Sequence, residues 1–106
     1  MEHITERPVR KTLPVNMMLE GRTVLVVGGG RVGQRKVDLL LEAGAAIRLV
    51  CPDCVLELSA MADFGKIEYR RKEFSPDDLE GASAVFACTD DKHVNRAILE
   101  EAKRAK

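Results

Sequence analysis

The chain has 106 residues, 45% of them hydrophobic and 32% charged, which suits one small globular domain. Lysine plus arginine equals aspartate plus glutamate at 17 each, so the net charge is zero, against the cationic excess a nucleic-acid partner requires. The N-terminus has no signal-peptide core and no apolar run approaches the roughly 20 residues of a membrane span, so the sequence predicts a cytoplasmic protein without a membrane partner.

Residues 1–12 are polar and without period, and are expected to form a flexible lead-in to a domain over 13–106. Leu13-Pro14-Val15 reads as a short extended piece, because proline biases its predecessor that way. Glu20-Gly21-Arg22 reads as a turn. Thr23–Val27 is a strand of buried type, and the apolar spacing after it predicts a helix over 32–43. Its packed face would carry Gly33, Val37, Leu40 and Leu41, and Gly44 would close its C-terminus. A second strand is expected over Ile47–Cys51, then a helix over Val55–Phe64 ended by Gly65. Ile67–Arg71 is a more polar third strand. Ser75 and Pro76 then open a short helical turn as N-cap and first residue. Ala82–Cys88 is a fourth strand. The last helix starts near Asp91, with Val94, Ala97, Ile98 and Ala102 on one face.

That alternation predicts an α/β fold: a Rossmann-like parallel sheet of about four strands, order 3-2-1-4, with helices on both faces. A dinucleotide fold usually has about six strands, so two would be missing.

Gly28-Gly29-Gly30-Arg31-Val32-Gly33 fits G-x-G-x-x-G between a buried strand and a helix, the context that motif requires. Gly28 would make the tight turn, Gly30 would let backbone approach a pyrophosphate, and Gly33 would bring helix and strand together. The phosphates would meet free amides at the helix N-terminus, with Arg31 adding a charge-assisted contact. The bland alternative is a ligand-free turn; three successive glycines exceed what a turn needs. Asp53, after Pro52, stands about where an acid meets the adenosine ribose, or else it caps the helix that follows. No arginine directly follows that strand, which favours NAD over NADP.

The three cysteines are an odd count and are expected to be free thiols. Cys51-Pro52-Asp53-Cys54 is a C-x-x-C: a redox pair, half a metal site, or two small residues filling space. His3 falls in the lead-in, and His93 on the solvent side of the last helix.

Three stretches together resemble the precorrin-2 dehydrogenase domain of sirohaem synthases: Leu13-Pro14-Val15 through Arg22, the segment VLVVGGGRVGQRKVDLLLEAGA, and Ala87-Cys88-Thr89-Asp90-Asp91 with Val94-Asn95. Phe74 and Asp78-Leu79-Glu80-Gly81 fit the stretch between them, and the resemblance covers 13–106. It implies an NAD-dependent oxidation of precorrin-2 to sirohydrochlorin, with ferrous iron insertion in some members. By position it implies that Gly28, Gly30, Arg31 and Val32 line the pyrophosphate and that Pro52 and Asp53 flank the ribose. Thr89 and Asp90 would lie on the nicotinamide side; as residues, Thr89-Asp90-Asp91 also read as a helix N-cap cluster. The family continues with another strand, a catalytic aspartate and a helical dimerisation region, so the sequence reads as the cofactor half of a homodimeric enzyme acting on a tetrapyrrole. No catalytic residue and no metal ligand is assigned within it. Cys88 stands where alanine is more usual. The competing reading is a non-catalytic NAD-binding regulatory module of a transporter.

Overall fold

The computed structural model describes residues 2–5, as backbone, and 18–105. Five parallel strands form one sheet in the order β1-β5-β2-β3-β4. They are β1 (Glu2–Thr5), β2 (Thr23–Val27), β3 (Ala46–Val50), β4 (Glu68–Arg70) and β5 (Ala84–Ala87). Helices α1 (Arg31–Glu42) and α2 (Leu56–Asp63) make the crossovers β2–β3 and β3–β4. A 3₁₀ turn (Pro76–Leu79) precedes β5, and α3 (Lys92–Arg104) follows it.

The four expected strands therefore lie in the expected order, read from β4 to β5, and the fold is Rossmann-like. The difference lies at the edge. Residues 2–5, expected to be flexible, form β1 and pair in parallel with β5, Glu2 opposite Ala84 and Thr5 opposite Ala87. A four-residue strand is too short to show a period, so pairing with an open edge, not local pattern, decides its state. The expected extended piece at Leu13-Pro14-Val15 lies outside the described residues.

Two apolar layers sandwich the sheet. Val24, Val26, Ile47 and Leu49 face α1 and α2 through Val37, Leu40 and Leu58. Leu25, Val27, Val50 and Val85 face α3 and the 3₁₀ turn through Ile98, Ala102 and Leu79. Central strands buried on both faces explain why β2 reads as an unbroken Val/Leu run rather than an alternation. Helix α1 stops where the sequence places Gly44: at φ +82° it lets Gly44 N–H donate to Leu41 O (3.0 Å) and Ala45 N–H to Leu40 O (3.0 Å).

The face of α3 needs correction. Ile98 and Ala102 are buried, but Val94 is 42% exposed and Ala97 is exposed as well. The inward row is instead Asn95, Ile98, Leu99 and Ala102, at the 3- and 4-residue spacing of one helix face.

One polar cluster ties the 3₁₀ turn to the sheet. The Asp78 side chain, 2% exposed, pairs with Arg70 Nη1 (3.0 Å) and Lys72 Nζ and accepts from Ser75 N–H (2.9 Å). Arg48 Nη1 donates to the carbonyls of Asp78 (2.8 Å) and Glu80 (2.6 Å). Burial raises the Asp78 pKa, but Lys72, the Ser75 amide and Arg70 outweigh it and hold the carboxyl below the usual range. No helix among the described residues is long and apolar enough to cross a membrane.

Candidate dinucleotide-binding site

The carboxyl ends of β2, β3 and β5 lie side by side, and the glycine loop leaves from the middle one. Gly28 N–H donates to Val50 O (3.1 Å) and Cys88 N–H donates to Val27 O (2.8 Å), so the loop starts pinned to both neighbours. Each glycine meets a different constraint. Gly28 has φ +125°, and a Cβ there would sit 2.5 Å from Cys88 O. A Cβ on Gly29 would sit 2.5 Å from Asp53 O and from Cys54 Cβ, and one on Gly33 would sit 2.2 Å from Gly28 O. Gly30 has φ −88°, which any residue adopts, and a Cβ there would meet nothing within 4 Å. The fold itself therefore requires three of these glycines. Gly29, surplus to a turn, is consumed by packing against the segment after β3 and is not a mark of a ligand. Only Gly30 has no protein neighbour that explains it.

Gly30 is also the N-cap of α1. No side chain caps this end and the first turn holds no acid. Helix α3 differs: Asp91 Oδ1 accepts from His93 N–H (2.8 Å) and Val94 N–H (3.3 Å). The uncapped amides of α1 thus border open space with positive dipole and no Cβ in the way. A diphosphate fits that cradle. Arg31 is exposed beside it, while the Val32 side chain packs on the core and leaves its amide for a ligand.

A cleft of about 430 Å³ opens from this point, walled by Gly28–Gly30, Cys51–Val55 and Cys88–Asp90. It brings together Gly28, Gly30, Pro52, Asp53, Thr89 and Asp90 from the sequence reading. A smaller hollow of about 200 Å³ opens at the same strand ends, with Phe74, Val94 and Pro52 among its walls and Glu73 beside them. The exposed Val94 thus faces a hollow rather than open solvent alone.

Asp53 is not a helix cap: α2 begins at Leu56 behind Val55, and no side chain caps it. Its carboxylate is exposed and pairs with Arg71 Nη2 at 3.3 Å. Arg71, just past β4, also donates from Nε to Pro52 O (3.2 Å). Spacing along β3 could not reveal this arginine, which comes from the next strand. Thr89 is held rather than free: its N–H and Oγ1 donate to Asn95 Oδ1 (3.0 and 2.5 Å), and Asn95 Nδ2 donates back to Thr89 O (3.1 Å). Asn95 carries the positioning that the sequence reading gave to no residue; its place on the inward row of α3 is the signal that a correct phase for that helix would have exposed. Asp90 stands exposed beside Thr89.

Cys51, Cys54 and Cys88 are free thiols around the same cleft. Burial pushes Cys51 up to about 11 and Cys88 likewise to about 11. A nucleophilic thiol needs the opposite shift, so burial works against Cys51 as the attacking thiol of the C-x-x-C. Tyr69 Oη donates to Cys51 O (3.1 Å), closing the segment from behind.

Residues 15–106 match a protein family described as putative NAD(P)-binding. The chain belongs to this family. It is 42% identical over 92 residues to the siroheme synthase of Photorhabdus laumondii subsp. laumondii, covering 87% of this chain and 20% of the relative. It is 44% identical over 93 residues to that of Methylobacillus flagellatus, covering 88% and 20%. The solved structure of SirC, precorrin-2 dehydrogenase, superposes with a TM-score of 0.74 at 34% identity, covering 80% of this NAD(P)-binding chain and 43% of SirC. The chain thus spans about a fifth of the siroheme synthases it matches and under half of SirC.

Proposed function

We propose that this chain is the NAD-binding part of a precorrin-2 dehydrogenase, the enzyme that oxidises precorrin-2 to sirohydrochlorin. The observation that carries this reading is Gly30: a glycine with ordinary φ, open space at its Cβ, and an uncapped helix behind it. The similarity to siroheme synthases and to SirC supports the substrate.

When bound, NAD accepts the hydride; the residues here bind and orient it. The amides after Gly30 would hold the diphosphate, and Arg31 would add charge at its edge. Asp53 would accept from a ribose hydroxyl at Pro52. Thr89 and Asp90 would border the nicotinamide, with Asn95 holding Thr89 still. The hydride's departure is driven on the substrate side, to which this chain's residues are assigned no proton transfer. The full-length form is read as a cytoplasmic homodimer: free thiols suit a reducing compartment, and the dimer rests on the resemblance alone.

The test is NADH formation by the full-length parent given precorrin-2 and NAD. A folded parent that binds both and forms no NADH removes the dehydrogenase reading. Light scattering of the same sample decides between dimer and monomer.

A further inference from the structure

The adenosine end of the cleft carries a charge pattern that the β3 sequence alone does not show. A lone carboxylate beside a ribose accepts from its 2′-hydroxyl and repels a 2′-phosphate, which carries about −1.5 to −2 charge near pH 7. Here the carboxylate is not alone. Arg71 Nη2 stands 3.3 Å from Asp53 Oδ1, and its Nε donates to Pro52 O at 3.2 Å. The two side chains are 73% and 87% exposed, so both remain open to a ligand. A guanidinium has five N–H donors, and these two contacts leave the others for an incoming anion in the planar geometry that suits phosphate. The neighbouring cation, Lys72, is committed to Asp78 and does not compete for this role.

We propose that Arg71 is a specificity-determining residue that offsets the charge of Asp53, so that this chain binds NADP as well as NAD. The inference rests on the reading of Asp53 as the ribose-facing acid and goes beyond it. An arginine immediately after β3 is not required, because β4 ends in register beside β3 and delivers one from the side.

The test is titration of NADH and NADPH by their fluorescence, in the wild-type chain and in three variants, each checked for an unchanged circular dichroism spectrum. Wild type should bind the two with dissociation constants within about tenfold of each other, a gap of about 1.4 kcal/mol. Arg71→Gln should weaken NADPH by about tenfold, the effect of one charge-assisted contact, and move NADH by less than about twofold. Arg71→Lys should keep part of the NADPH affinity, and Asp53→Asn should strengthen NADPH. Rejection of NADPH by wild type beyond about a hundredfold overturns the proposal. So does Arg71→Gln shifting both dinucleotides equally or neither. A folded wild-type chain that binds neither dinucleotide overturns the cofactor reading itself, and the Arg71 role with it. NADH binding with an unmoved ratio removes Arg71 alone.

Discussion

Replacing the loop glycines one at a time by alanine should separate folding from binding, because the space around each differs. At Gly33 the new Cβ would stand 2.2 Å from Gly28 O, a backbone atom that cannot rotate away. Real Cβ contacts rarely fall under 3.0–3.4 Å, so α1 must lift off the loop by about 1 Å. Overpacking of this kind costs about 1–3 kcal/mol. Gly28→Ala adds positive-φ strain to a 2.5 Å clash with Cys88 O and should cost at least as much. Gly30→Ala meets nothing within 4 Å and keeps an allowed φ. Its stability should fall by only about 0.5–1 kcal/mol, the size of a glycine-to-alanine N-cap effect. The same methyl stands where the diphosphate of the proposed cofactor would approach the amides. Losing one charge-assisted hydrogen bond there costs about 1.5–3 kcal/mol, a weakening of about ten- to a hundredfold. Urea unfolding and NADH titration of the four proteins measure both quantities. A Gly30→Ala protein that binds NADH like wild type would refute the cradle, and one that unfolds like Gly33→Ala would refute the open space.

Three further outcomes follow from the geometry. Asp78→Asn should cost about 2–3 kcal/mol at pH 7 by urea unfolding, below the roughly 3–5 of a fully buried pair because Lys72 and Arg70 are partly solvated. Since the folded Asp78 pKa lies below its unfolded value, its stabilisation is present above about pH 3.9 and lost as pH falls towards the folded value; the two proteins should converge in acid. Iodoacetamide at pH 8 should modify half-buried Cys54 well before the buried, high-pKa Cys51 and Cys88, and saturating NAD should slow that reaction. Equal rates at all three thiols by mass spectrometry would contradict the burial. Asn95→Ala should weaken NADH binding by several-fold while α3 stays folded, because it releases both Thr89 N–H and Oγ1; unchanged affinity would leave Thr89 outside the site.

Much of the architecture was legible because it is local. The Thr23–Val27 strand coincides with the apolar run, and the face of α1 with its Gly33, Val37 and Leu40 spacing. Gly44 and Gly65 end α1 and α2 where expected. Other features were not local. Val94 fits an apolar stripe, yet it stays 42% exposed at a hollow by the strand ends instead of joining the core under α3. Asp53 has the spacing of a cap, but the turn after Pro52 runs on to Val55 before helix begins. Arg71 reaches Asp53 only because β3 and β4 are neighbours in the sheet, and Arg48 reaches the carbonyls of Asp78 and Glu80 only because the 3₁₀ turn folds back to β3 from 30 residues away.

By itself the sequence determined the alternation of strands and helices, the order of the four expected strands and the position of the glycine loop, since periodicity, β-branching and glycine act within a few residues of themselves. The tertiary structure decided which glycine is left for a ligand, which acid pairs with which arginine, and that residues 2–5 add an edge strand. Those outcomes depend on what stands opposite each atom across the sheet, and spacing along one chain segment carries no such information.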